Sequence, residues 1–90
     1  MFNSGIFDDG RIEYRNRSGK LHNIDGPAII YPSGTKKWIV NGILHRTDGP
    51  AIEWSSGKRS FYINGVQVPE KEYPDLVLKT KLDKLKNIAN

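Results

Sequence analysis

The sequence predicts a mainly β fold, an antiparallel sheet of stacked 23-residue β-hairpins, with one C-terminal α-helix. Three observations predict it. Leu21–Ile43 and Leu44–Val66 are consecutive segments of equal length that share Leu, His, Asp, Gly, Pro, Ala, Ile, Ser, Gly, Asn and Gly at matched positions. Each segment holds two glycine-containing turn signals between short apolar runs. After Pro74 the apolar spacing changes from period two to a helical period.

The elements follow in order. Residues 5–20 read as a degenerate half-repeat, in which Ile6-Phe7-Asp8-Asp9-Gly10 matches Ile30-Tyr31-Pro32-Ser33-Gly34 and Tyr14 falls opposite Trp38. Residues 21–43 and 44–66 are the two full units. Within them Ala28–Tyr31 and Ala51–Trp54 are outgoing strands, and Lys36–Val40 and Arg59–Ile63 return. Pro32-Ser33-Gly34 and Ser55-Ser56-Gly57 are tight turns, since glycine supplies the positive φ they need. Asn41-Gly42 and Asn64-Gly65 are hairpin turns. Pro27 and Pro50 fix φ at the strand entrance, where no ladder donor is needed. Residues 70–88 form a capping helix, with a first turn at 70–73 and an amphipathic body from Pro74. Leu78, Leu82, Leu85 and Ala89 make a single apolar stripe expected to pack on the sheet.

Period-two alternation assigns the faces. Ile29, Tyr31, Ile52 and Trp54 are expected on one side, joined by Trp38, Val40, Phe61 and Ile63 and extended by Phe7 and Tyr14. Trp38 and Trp54 are therefore placed in the core. The opposite side carries Ile30, Ile39 and Tyr62, an apolar set expected to meet a partner or a second copy of the chain, since large apolar patches seldom stay exposed.

Composition narrows the function. Ninety residues are one small domain (1–90), short for a deep catalytic cleft. No cysteine is present, which excludes disulfides and thiolate metal sites. No apolar run reaches membrane-spanning length, and the N-terminus lacks a secretory pattern, so a cytoplasmic location is expected. The formal charge is +4, which disfavours an imitator of DNA.

The 23-residue period, the hairpin per unit and the recurring aromatic and Asn-Gly positions resemble MORN-type repeats, particularly their divergent bacterial variants. The LHxxDGPA elements, Leu21–Ala28 and Leu44–Ala51, look like a repeat found in small bacterial and phage proteins. The resemblance covers residues 5–66. It implies a scaffold for protein or lipid contact and supplies no catalytic residue.

The candidate sites are weighed on that basis. His22 and His45 recur in His-x-x-Asp with Asp25 and Asp48, and recurrence in register suits a repeated turn better than a metal or acid–base site. No catalytic triad, dinucleotide loop or phosphate loop occurs; the chain is read as non-enzymatic, with no cofactor and no metal. Arg11, Lys36, Lys37, Lys58 and Arg59 follow the tight turns and are expected to form a basic ridge. The leading function expected is that of a small, phage-encoded binding protein that inhibits or modulates a host protein or defence complex in the host cytoplasm. The alternative is a nucleotide- or nucleic-acid-binding module that uses the basic ridge.

Overall fold

The computed structural model describes residues 3–89, with side chains from residue 5 to residue 82. It is mainly β with a C-terminal helix. The strands are Asn3–Ile6 (β1), Ile12–Arg15 (β2), Ile29–Ile30 (β3), Lys36–Lys37 (β4), Ile39–Val40 (β5), Ile43–Leu44 (β6), Ile52–Glu53 (β7), Arg59–Ile63 (β8) and Val66–Val68 (β9). A 3-10 turn at Glu70–Glu72 leads into the helix Tyr73–Ala89 (α1). A seven-stranded sheet runs in the order β1-β2-β3-β4-β7-β8-β9, and β5-β6 form a separate two-stranded sheet. All pairings are antiparallel.

The turns form where the glycines stand, and their backbone bonds recur. Phe7, Tyr31 and Trp54 each donate an N–H to the carbonyl four residues on, at 2.9 Å, and each accepts from Gly10, Gly34 or Gly57. Those glycines have φ of 90°, 99° and 94°, a conformation that a Cβ disfavours. Asn41-Gly42 and Asn64-Gly65 carry positive φ at both residues, the geometry of a two-residue hairpin turn. The Gly42 and Gly65 amides donate to Leu21 O and Leu44 O at 2.7 and 2.8 Å. Residues Tyr14 and Trp38 make matching bonds: Tyr14 N donates to Ala28 O at 2.8 Å, as Trp38 N donates to Ala51 O at 2.7 Å.

The faces differ from expectation. Registered pairs place Glu13, Ile29, Lys37, Ile52 and Ser60 in one row, and Ile12, Ile30, Lys36, Glu53 and Arg59 in the other. Phe61 and Ile63, at alternate positions from Arg59, thus lie opposite Ile52. Ile39 instead joins Ala28 and Ile29 in a buried cluster. Tyr14 shares parity with Ile12, whereas Phe7 belongs with Glu13. The reason is turn length. Three residues separate Tyr31 from Thr35 and Trp54 from Lys58, so residues of equal parity face each other across the turn. Alternation along a strand leaves that register open, and a one-residue slip reverses every side chain.

Two core assignments also change. Trp54 is 39% exposed, because it stands at the turn where no second layer covers the sheet. Its indole Nε1 donates to Ser60 Oγ at 3.1 Å. Trp38 is half-buried. Among the described side chains of α1 the buried residues are Tyr73 and Val77, which pack on Phe61, Ile63 and Val68. Leu78 and Leu82 are 57% and 49% exposed. The helix is oriented by its first residue. The Tyr73 ring lies 4.6 Å from Phe61, and its hydroxyl donates to Arg46 O. That turns the Tyr73–Val77 line inward and the Leu78–Leu82 line about 100° away from it. The side chains of Leu85 and Ala89, the rest of the expected stripe, lie outside the described residues.

The molecule is a thin plate of 47 × 32 × 17 Å. Its radius of gyration is 14.4 Å, against about 12 Å for a compact chain of this length. Stability therefore rests on two small clusters and on polar ties between loops.

Candidate functional site

A surface cleft lies between the two Asp-Gly-Pro loops. It measures about 480 Å³ and is lined by residues 23–27 of the first unit, Trp38 and Val40, and residues 45–48 of the second.

Its walls follow from one repeat position. Asn23 and Arg46 both follow the recurring histidine, and both bond the carbonyl of the recurring proline. Asn23 Nδ2 donates to Pro27 O at 3.1 Å, and Arg46 Nη1 donates to Pro50 O at 3.0 Å. Arg46 also reaches Asp48 Oδ1 at 2.9 Å and Glu53 Oε2 at 3.0 Å. Its guanidinium sits 3.8 Å from the centroid of the Trp38 ring, so the cation covers the indole at the cleft floor. Tyr73 closes the second loop by donating to Arg46 O and accepting from Gly49 N. Burial pushes the Tyr73 phenol above its ordinary pKa.

The histidines act as turn supports. His22 Nδ1 accepts the Asn41 amide and His45 Nδ1 accepts the Asn64 amide, both at 2.9 Å. Each histidine thus ties the start of its unit to the hairpin turn at its far end. Among the described residues, no group of three or more His, Asp or Glu side chains could hold a metal ion.

The expected ridge residues fall in different settings. Arg11 is paired with Asp9 at 2.6 Å and Glu13 at 2.8 Å, and lies 4.2 Å from the Phe7 ring centroid. Arg59 pairs with Glu70. Lys36 stands beside Glu53 in register, with Arg59 on the far side of Glu53. Lys37 faces the opposite way, and Lys58 is exposed at a turn. Of the residues expected at an interface, Ile30 and Tyr62 are half-buried and Ile39 is covered by its own chain.

Glu13 is a buried carboxylate that the sequence reading passed over. It accepts from Arg11 at 2.8 Å and from Arg15 through Nε and Nη2 at 3.2 and 2.8 Å. The Arg11 hydrogen bond, more than any other contact, holds its pKa below the usual carboxylate value. Arg46 was also missed. The one available signal was an arginine at one of the two positions that differ between the otherwise matched LHxxDGPA elements.

No protein-family model matches the chain, and neither a curated protein nor a solved structure gives a match. No helix among the described residues is long and apolar enough to cross a membrane.

Proposed function

We propose that this chain is a non-enzymatic binding protein built from stacked 23-residue, MORN-like hairpin repeats. The two Asp-Gly-Pro loops grip a segment of a protein partner. The cleft between the loops carries this reading. Ile24 stands 71% exposed at its rim and offers an apolar contact beside the floor. Val40 supplies an apolar floor beside the Trp38 ring that Arg46 covers. Asp25, which makes no ion pair among the described residues, supplies an acidic edge. An apolar segment with a neighbouring Lys or Arg fits that chemistry. The biological role best suited to so small a scaffold is inhibition or modulation of a host protein or defence complex by a phage-encoded chain. The nucleic-acid reading is weaker, because Arg11 and Arg59 are both engaged by carboxylates.

The test is affinity capture from host extract at moderate salt, with wild type beside Ile24→Lys/Asp25→Lys. Both substituted side chains are exposed, so the melting temperature should hold. The reading expects one protein captured by wild type and lost by the variant. Equal capture by the variant, or capture abolished by nuclease, contradicts it.

A further inference from the structure

A second surface, sharing no residue with the cleft, lies at the tight turns. Phe7, Tyr31 and Trp54 occupy the same place in three successive turns. By strand register all three belong to the face that carries Ile29 and Ile52. Phe7 and Trp54 are 40% and 39% exposed, and Tyr31 is half-buried. A shallow hollow of about 230 Å³ separates Tyr31 from Trp54, with Lys37 in its lining.

Spacing and charge identify the occupant. Each aromatic lies two strands from the next in the order β1-β2-β3-β4-β7. Strands lie about 4.8 Å apart, so the rings recur at about 10 Å. A polyproline II helix advances about 3.1 Å per residue with three residues per turn, which brings one edge back about every 9 Å. Its proline rings are apolar, and aromatic-lined surfaces receive such segments readily because the ligand is already ordered. Lys37, with its ammonium 5.5 Å from the Tyr31 ring centroid, makes no ion pair among the described residues. Arg11 is held by Asp9 and Glu13, while Lys58, across the turn from Trp54 on the same face, is exposed and makes no ion pair among the described residues. The two uncompensated cations, Lys37 and Lys58, stand by Tyr31 and Trp54 and suit a carboxylate, whereas a phosphate backbone needs several along the whole row.

We infer that the Phe7–Tyr31–Trp54 row binds a proline-rich segment in the polyproline II conformation that carries one acidic residue opposite Lys37. The segment spans the row with about seven residues.

The probe is a fluorescein-labelled peptide of prolines around one central glutamate, followed by anisotropy. A glycine–serine peptide with the same glutamate and an oligothymidine serve as comparisons. Wild type is expected to bind the proline peptide saturably and well above both comparisons. Phe7→Ser and Trp54→Ala should each weaken binding about tenfold, the effect of truncating an aromatic anchor. Lys37→Glu should weaken binding of the glutamate peptide but not of an all-proline peptide. Phe7 lies on an exposed turn, so Phe7→Ser keeps the test valid if Trp54→Ala unfolds. Equal binding of the glycine–serine peptide overturns the inference. So does preference for the oligothymidine, or unchanged affinity in a folded Phe7→Ser protein. The cleft variant Ile24→Lys/Asp25→Lys should bind the peptide normally, so failure at one surface is distinguishable from failure at the other.

Discussion

The two Asp-Gly-Pro loops share their defining residues but not their anchoring. In the first unit, Asn23 Nδ2 makes one bond to Pro27 O, and its side-chain Oδ1 accepts from Asp25 N. In the second, Arg46 bonds Asp48, Pro50 O and Glu53, lies over Trp38, and has its own carbonyl tied to the helix through Tyr73. The difference teaches where this scaffold varies. The recurring residues shape the turn, while the position after the histidine decides whether the loop is locked or left as an open wall. The locked loop is the one beside the capping helix.

The largest break in that comparison should come from Phe61→Ala. It removes the platform under Tyr73 and Val77, and a buried aromatic truncation costs about 3–5 kcal/mol. Chemical denaturation should show loss of helix and sheet together. Next, Arg46→Ala should cost about 2–3 kcal/mol, because Glu53 and Pro50 O lose a partner and Trp38 is uncovered. Asn23→Ala should cost about 1 kcal/mol in the same assay.

The glycines give a finer contrast. A Cβ at Gly49 would stand 2.8 Å from Arg46 Cζ, whereas at Gly26 the nearest atom is Asn23 Nδ2 at 3.8 Å. The guanidinium is held by its ion pairs and cannot easily withdraw. Gly49→Ala should therefore cost about 1–2 kcal/mol, while Gly26→Ala should leave the melting temperature nearly unchanged.

Acid provides the smallest and most graded effect, and it acts outside both loops. Glu13 is held below its usual pKa chiefly by Arg11. A depressed carboxylate stabilises the fold above its unfolded value, about pH 4.3, and that contribution disappears as pH falls through the lower folded value. Asp9 shifts the same way through the Arg11 amide. The melting temperature should decline below about pH 4, and Glu13→Gln should flatten part of that decline.

The hairpins, turns and helix were legible because each carries a local cause. Gly34, Gly57 and Asn41-Gly42 demand positive φ, and Pro74 opens a helical period. That His22 and His45 serve turns was legible from their recurrence, but the backbone they bond, expected in a neighbouring unit, is the far turn of their own segment. The relative faces of the strands were not, since three-residue turns set a register that alternation cannot report. The helix face was missed for a related reason. Leu78 and Leu82 form the stronger stripe in sequence, but the hydroxyl of Tyr73 and its contact with Phe61 fix the rotation, and both depend on residues distant in the chain. Arg46 was invisible as a hub because its partners come from a loop, a strand and the helix.

The central claim is that Tyr73 and Arg46 lock the second loop while the first stays open. Amide hydrogen exchange at Gly49 and Gly26 tests it most directly. Gly49 N donates to Tyr73 Oη at 3.2 Å, so it should exchange more slowly than Gly26, its counterpart in the first loop. Tyr73→Phe should remove that protection while the Gly42 amide, bonded to Leu21 O at 2.7 Å, keeps its own. Equal rates at Gly49 and Gly26 in the wild type, or a Gly49 rate unchanged by Tyr73→Phe, would contradict the account.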